Sequence, residues 1–147
     1  MTYNPAPPSE RHALTVGYAT MDETHDEFEI LIKQALHCAD ADLLEHIERM
    51  RGHLKAHFFQ EDQWMQESSF PAGACHIEEH ASVLRSADEV YQLVSSGNLK
   101  IGRAFIRELD EWFPAHVDYL DSALAAWLSK RRFGGAPVAL HPMRKEY

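Results

Sequence analysis

The segment HIEEH, residues 76–80, places two histidines four positions apart. On an α-helix this spacing brings His76 and His80 onto one face, about one turn apart, where both imidazoles can hold one metal ion. The same five letters fit the H-x-x-E-H pattern of inverted zinc peptidases. They also fit a polar strip on a solvent-exposed helix. The rest of the chain has to decide between these three interpretations.

Apolar residues repeat at helical spacing on both sides of this segment and through most of the chain. The helix that carries HIEEH is predicted to begin near Gly73 and to end at SSGN, residues 95–98. Three further helices are predicted over residues 21–38, 40–68 and 99–132. No segment alternates with the two-residue period of a strand. The pattern therefore predicts an all-α protein with an up-down-up-down four-helix bundle.

The predicted bundle occupies residues 16–131. The proline-containing residues 1–15 are expected to form an N-terminal arm, and residues 132–147 an irregular C-terminal tail. Asp22 and Asp40 are the candidate N-caps of the first and second helices. At 147 residues the chain is long enough for one domain with a sizeable core.

The overall charge and the cysteine content exclude several classes of protein. A net charge of −9 argues against nucleic-acid binding, which needs a basic surface, and it favours a monomer. Two cysteines, Cys38 and Cys75, are too few for a disulfide framework and suit a reducing compartment. The N-terminus has no signal-peptide pattern, and no apolar stretch approaches the roughly 20 residues that span a membrane. We therefore expect a cytoplasmic protein that does not contact membranes.

Each predicted helix carries potential metal ligands on its apolar stripe. They are five histidines and two carboxylates: His25, His57, Glu61, His76, His80, His116 and Asp121. Such groups are costly to bury without partners, and bundle cores are where facing helices build two-metal sites. Imidazole and carboxylate ligands suit iron, and seven ligands are too many for one tetrahedral zinc ion. The set suits two six-coordinate metals that share bridging oxygens and leave one position open.

Four segments between about Val16 and about Lys130 resemble the bacterial single-domain branch of the hemerythrin family. They are MDETHDEF (21–28), HFFQEDQWM (57–65), FPAGACHIEEH (70–80) and WFPAHVDYLD (112–121). Together they contain the ordered pattern H…HxxxE…HxxxH…HxxxxD. Each pair alone is a weak signal, whereas the ordered set on four helices is a strong one.

The resemblance implies a non-haem di-iron centre that binds dioxygen reversibly, in a carrier, storage, delivery or sensing protein that is not an enzyme. One iron would keep an open position, where small anions could also bind. An oxo or hydroxo group would bridge the two irons. The resemblance assigns His76, His80 and His116 to one iron, His25 and His57 to the open iron, and Glu61 and Asp121 to both as bridges.

Several positions depart from the expected pattern. Asp121 follows His116 by five residues, which is about 140° around a regular helix, so both can reach one site only if the helix is distorted or the side chains splay. Pro114 lacks an N–H group, and we expect a kink there. Glu29 is expected to point outward, the alternative being contact with a ligand imidazole. His53 is expected to be partly exposed.

Other functions remain open at this stage. A di-iron redox enzyme, or an oxidative-stress protein that consumes dioxygen or peroxide, would use the same ligands, and reversibility of dioxygen binding would separate it from a carrier. A zinc peptidase with Glu79 as general base would leave most of the set unused. A bundle that acts only through protein partners would leave the whole set unexplained. A dioxygen-binding site also needs an apolar wall, for which the candidates are Phe28, Ile32, Leu84, Trp112, Phe113 and Leu120.

Overall fold

The computed structural model describes residues 15–132, which form a bundle of four helices. The helices are α1 (Ala19–His37), α2 (Leu43–Glu67), α3 (Gly73–Ser95), α4 (Leu99–His116) and α5 (Ser122–Arg132), and a π-helical turn, Val117–Asp121, joins α4 to α5. The fourth helix of the bundle therefore consists of α4, the π-helical turn and α5. No strand occurs among residues 15–132. The predicted all-α four-helix bundle is confirmed.

The helices follow one another around the bundle in chain order. Helix α1 packs against α2 and α4, and α3 packs against the same two helices from the other side. Short connections between consecutive helices make neighbours antiparallel, as in an up-down-up-down bundle. At Gly102 the packing is especially close, because a Cβ atom there would lie 2.6 Å from Val94 Cγ2 and 3.0 Å from Ile47 Cδ1.

The buried apolar side chains form two clusters along the bundle. The larger cluster includes Phe28, Ile32, Met50, Leu54, Phe58, Ile106, Phe113 and Val117. The smaller cluster consists of Met21, Met65, Leu124, Ala125 and Leu128. On α1, His25 lies between Met21 of the smaller cluster and Phe28 of the larger one. On α2 and at the π-helical turn, a buried polar residue likewise lies between residues of the two clusters. A layer of buried polar groups therefore separates the two clusters, and we call it the polar layer.

Asp22 does not cap α1, contrary to the prediction. The helix begins earlier, at Ala19, and its N-cap residue Tyr18 makes no side-chain capping bond. The Asp22 carboxylate accepts hydrogen bonds from the backbone N–H groups of Val16 (2.8 Å) and Gly17 (3.1 Å). It therefore holds the segment that leads into the helix.

Asp40 does not cap α2 either. It begins a short 3-10 turn, Asp40–Asp42, that precedes the helix. Its carboxylate accepts a hydrogen bond from Arg103 on α4 at 2.7 Å. The additional turn moves the start of α2 to Leu43, with Asp42 as the N-cap residue, so the predicted cap lies two residues too early.

The fourth helix is distorted just after Pro114, which lies inside α4. In the π-helical turn the backbone N–H of Ser122 donates to the carbonyl oxygen of Val117, five residues back instead of four. The turn thereby accommodates one additional residue. A local distortion was one of the two arrangements that the five-residue spacing of His116 and Asp121 left open, the other being splayed side chains.

Two of the sequence-based expectations fall largely outside this structure. The N-terminal arm, residues 1–15, and the C-terminal tail, residues 132–147, lie outside the described residues except for Thr15 and the last residue of α5. No helix within residues 15–132 combines the length and the apolar character of a membrane span.

Candidate metal centre

All of the side chains predicted as metal ligands lie in the polar layer. They come from every helix of the bundle: His25 from α1, His57 and Glu61 from α2, His76 and His80 from α3, His116 from α4, and Asp121 from the end of the π-helical turn. None of the seven is more than 4% exposed. The bundle therefore buries five imidazoles and two carboxylates in one place.

The ligand atoms of these side chains form two overlapping groups, and within each group all atoms lie within 4.8 Å of one another. The three-histidine group contains His76, His80 and His116, the two-histidine group contains His25 and His57, and Glu61 and Asp121 belong to both. The grouping matches the assignment that the resemblance implied. Coordination of a metal by these residues stays a prediction.

Each shared carboxylate directs one oxygen toward each group. Glu61 Oε2 lies 2.7 Å from His57 Nε2, and Glu61 Oε1 lies 3.3 Å from His80 Nε2. Asp121 Oδ2 lies 2.9 Å from His25 Nε2, and Asp121 Oδ1 lies 2.9 Å from His76 Nε2. A carboxylate in this position can serve two cations at once, one with each oxygen.

The contacts around Asp121 are short but are not hydrogen bonds. His25 Nε2, His76 Nε2 and both Asp121 oxygens are buried without a hydrogen-bond partner among the described residues. Unpaired polar atoms of this kind are costly inside a protein. Adjacent ligands of an octahedral metal with bonds of about 2.1 Å lie roughly 3 Å apart, which is close to the observed separations. The cluster therefore fits a bound cation better than it fits a network of hydrogen bonds.

The π-helical turn brings Asp121 to the same site as His116. Asp121 Oδ1 lies 3.3 Å from His116 Nε2, although a regular helix would place the two side chains about 140° apart. π-helical turns in α-helices occur frequently at functional sites. Here the turn supplies one of the two shared carboxylates.

Two further carboxylates orient histidines of the three-histidine group from outside the cluster. His80 Nδ1 donates to Asp62 Oδ1, and His116 Nδ1 donates to Glu79 Oε2, both at 2.8 Å. Because a carboxylate can only accept, each ring donates from Nδ1 and turns Nε2, its remaining metal-binding atom, into the cluster. The two Nε2 atoms lie 3.3 Å apart, close enough for one cation to contact both.

The orienting roles of Asp62 and Glu79 were not predicted from the sequence. Glu79 was considered only as the general base of a zinc peptidase, but its carboxylate accepts hydrogen bonds from both His116 and Trp112 Nε1 (2.9 Å). Asp62 was not singled out. The available signal was weak, since each carboxylate directly neighbours a ligand in sequence and its partner lies on another helix.

Aromatic rings surround the polar layer. Phe58 stacks on His80 with ring centroids 3.9 Å apart, and Trp112 stacks on His116 at 4.4 Å. Phe113 meets His25 edge to face at 5.4 Å and Phe28 at 4.8 Å. Of the predicted wall residues, Phe28, Ile32 and Phe113 are buried, whereas Leu84, Trp112 and Leu120 are half-buried.

The buried charges shift one another's pKa values. Burial raises the pKa of Glu61, but contacts with His25, His57 and His80 outweigh it and hold the pKa below its usual range. Burial likewise raises the pKa of Asp121, and its histidine contacts lower it well below the usual value. Burial lowers the pKa of His25 and His80, but their carboxylate contacts prevail and raise both to about 9. Both shared carboxylates are therefore ionised at neutral pH.

Glu29 and His53 lie outside the clustered ligand atoms. Both are half-buried. His53 Nε2 lies 3.2 Å from the carbonyl oxygen of Thr24, and its ring stacks on Phe28. Burial and the neighbouring His57 lower the pKa of His53. His53 is thus in contact with a ligand histidine, while its ligand atoms do not belong to either group.

Two surface cavities flank the polar layer. The α1–α2 pocket, of about 240 Å³, reaches His57 and Glu61. The α3–α4 groove, of about 610 Å³, is lined by residues such as Val83, Leu109 and Trp112 and by none of the seven predicted ligands.

Comparison with known proteins bears on the same residues. The pattern of the hemerythrin HHE cation-binding domain matches residues 16–128, a range that includes all seven predicted ligands. The bacteriohemerythrin of Ralstonia nicotianae is 34% identical over 119 residues, which are 81% of this chain and 87% of that protein. No solved structure matches the chain.

Proposed function

Since the chain belongs to the hemerythrin family, we propose that its polar layer binds two iron ions and that the pair binds dioxygen reversibly. The observation that carries this proposal is the division of Glu61 and Asp121, each of which directs one oxygen to the two-histidine group and the other to the three-histidine group. A single cation would not require two such carboxylates. The name of the Ralstonia relative, a bacteriohemerythrin, supports the same function.

The two groups would have different tasks. His76, His80 and His116 would hold one iron, and His25 and His57 would hold the other, with both carboxylates as bridges beside an oxo or hydroxo group. The two-histidine group has one imidazole fewer, so we assign the open position to it. When bound, two ferrous ions supply the electrons and the open coordination position that reversible dioxygen binding requires.

The surrounding residues prepare the ligands for this task. Asp62 and Glu79 accept hydrogen bonds from His80 and His116, so both rings already turn Nε2 toward the cluster. On the two-histidine side, Phe113 covers His25 and packs on Phe28. These rings form an apolar wall beside His25, of the kind that protects a dioxygen-binding centre from irreversible oxidation.

We also propose that the protein is a cytoplasmic monomer that binds dioxygen without catalysing a reaction. Cys38 and Cys75 are both free, and Cys75 is exposed, which suits a reducing compartment. The net charge of −9 supports a monomer through mutual repulsion of chains. A sedimentation mass above that of one chain would contradict the monomer.

The test begins with metal-free protein and ferrous iron under argon. We expect two bound irons per chain, followed on admission of dioxygen by a visible charge-transfer band that disappears when argon is returned. Two irons that oxidise without a reversible band would favour a redox enzyme instead. No bound iron would overturn the proposal.

A matched pair of variants tests the shared carboxylate. Asp121→Asn removes the charge of a buried bridge, and we expect it to reduce the bound iron below two per chain. Asp118→Asn changes an exposed residue of the same π-helical turn and should leave the iron content unchanged. Equal iron content in the two variants would exclude Asp121 from the site.

A further inference from the structure

The α1–α2 pocket connects the surface with the buried ligands. Exposed Glu27 and Gln60 and half-buried Thr24 and His53 line the pocket, and so do His57 and Glu61. His57 is 4% exposed and Glu61 is 1% exposed. His57 Nδ1 and Glu61 Oε1 have no hydrogen-bond partner among residues 15–132. The pocket therefore ends at two of the predicted ligands.

The charges along this pocket are negative. Glu27 lies in its exposed part and Glu61 lies in its buried part, and none of the described residues that line it is a lysine or an arginine. Such a lining raises the local concentration of cations and lowers that of anions. The larger α3–α4 groove also has glutamates, Glu89, Glu108 and Glu111, but it reaches none of the seven ligands.

His53 lines the same pocket as Glu27 and Glu61 and is a further potential metal ligand. Its Nε2 lies 3.2 Å from the carbonyl oxygen of Thr24, and because a carbonyl can only accept, Nε2 carries the proton. The lone pair is then on Nδ1. The His53 ring lies 5.8 Å from the ring of His57, measured between centroids. Neutral imidazole is a common ligand of divalent metals.

We propose that the α1–α2 pocket is the route by which divalent metal ions reach the polar layer, with Glu27 attracting the ion and His53 holding it transiently before it reaches His57 and Glu61. The proposal rests on the proposed function, because a route needs a metal centre at its end. It goes beyond that function, since it assigns roles to residues outside the seven ligands.

The test measures the rate of metal uptake. Metal-free protein is mixed under argon with ferrous iron, the reaction is stopped at successive times with a strong chelator, and protein-bound iron is counted after gel filtration. Glu27→Gln should slow uptake about fivefold to tenfold at low ionic strength, because a divalent ion and a carboxylate several ångströms apart attract appreciably even in water. Added salt should reduce the difference. The final iron content should not change.

The matched control is Glu108→Gln, which removes one glutamate from the α3–α4 groove. A second pair tests obstruction, with Ala56→Phe in the α1–α2 pocket and Ala104→Phe in the α3–α4 groove. We expect slow uptake only in the α1–α2 variants. His53→Phe should also slow uptake, because it removes the ligand atom but keeps a ring against Phe28.

Two outcomes overturn the route, and a third overturns the role of Glu27 in it. Equal rates in all variants would show that the pocket does not limit uptake. Slow uptake in Glu108→Gln or Ala104→Phe, with normal rates in the α1–α2 variants, would place the route in the α3–α4 groove. Slow uptake in Glu27→Gln that salt does not reduce would exclude electrostatic attraction as the cause. By contrast, an unchanged chain that takes up no iron would overturn the metal centre itself.

Discussion

Glu79 contacts two side chains of the neighbouring helix with a single oxygen. From α3 its Oε2 accepts hydrogen bonds from His116 at 2.8 Å and from Trp112 at 2.9 Å, both on α4. Burial raises the pKa of Glu79, but the hydrogen bonds from His116 and Trp112 outweigh it and lower the pKa. The carboxylate therefore stays ionised at neutral pH and holds the His116 ring in one orientation.

Removal of this carboxylate should weaken metal binding without removing a ligand. We expect Glu79→Ala to lower the affinity for a divalent metal about 10-fold to 100-fold, because the His116 ring loses its orientation. The measurement is a titration of metal-free protein with Co²⁺ against a chelator of known affinity. Glu78→Ala is the control, since Glu78 is the exposed neighbour on the same helix. An unchanged metal affinity in Glu79→Ala would show that Glu79 does not support the metal site.

The ligand side chains that the structure brings together were predicted from the sequence, whereas the two carboxylates that orient them were not. The ligand candidates were predictable because His57 and Glu61, like His76 and His80, have a helical spacing that is visible in one segment. The roles of Asp62 and Glu79 depend on partners more than fifteen residues away in the chain, on other helices. Spacing within one segment carries no information about such partners.

The helices themselves differ in how closely they approach one another. At Gly102, α4 passes so near α2 and α3 that a Cβ atom would lie within 3.2 Å of Val94, Ile47 and Leu43. At Gly52, in the middle of α2, a Cβ atom would meet nothing within 4 Å. The two glycines are thus in opposite situations, although both interrupt a helical sequence.

Alanine at these two positions should therefore have opposite effects on stability. Gly102→Ala should lower the free energy of unfolding by about 1–3 kcal/mol, because overpacking outweighs the better helix propensity of alanine. Gly52→Ala should raise it by roughly 0.5–1 kcal/mol. Urea unfolding followed by circular dichroism measures both. A stabilised Gly102→Ala would mean that the interface of α4 with α2 and α3 can open at little cost.

The presence of each helix was predictable from the sequence, whereas the residue at which each helix begins was less predictable. The predicted starts near Gly73 and Leu99 agree with α3 and α4, where a loop of Pro and Gly or the capping Asn98 marks the boundary. Asp22 and Asp40 were misassigned as caps because each carboxylate has a better partner elsewhere, in backbone N–H groups or in Arg103. The five-residue spacing of His116 and Asp121 left a distorted helix and splayed side chains open and did not specify a π-helical turn.

For the whole molecule, the position of the site makes metal binding a stabilising cross-link. The seven predicted ligands come from every helix of the bundle, so a bound metal pair would connect all of them. Without a metal, several buried polar atoms lack partners, His25 Nε2 and Asp121 Oδ1 among them. The two apolar clusters contain none of the predicted ligands and remain to hold the helices together.

Removal of the metal should therefore lower Tm but leave the helices folded. At a free metal concentration about 1,000 times Kd, binding adds about 4 kcal/mol, which raises Tm by roughly 10 °C in a protein of this size. Thermal unfolding with iron and with a chelator measures the difference. The Asp121→Asn variant should show a smaller one. A metal-free protein without helical circular dichroism would show that the apolar clusters cannot hold the bundle.

At the scale of the whole molecule, the bundle followed from four amphipathic segments and short connections. The division of the core into two apolar clusters could not be predicted, because it depends on which positions of different helices lie at the same level along the bundle axis. The α1–α2 pocket was likewise not predictable from the sequence. It arises where Ala56 and Thr24 leave space between two helices beside larger residues such as Trp64.

The positions of two tryptophans give the metal centre an optical reporter within the chain itself. Trp64 lines the pocket that reaches His57, and Trp112 stacks on His116 of the three-histidine group. Indole fluorescence is quenched by a nearby transition metal, so a chain that keeps only Trp112 would report metal binding beside His116. Loading could then be followed in real time, with no added dye.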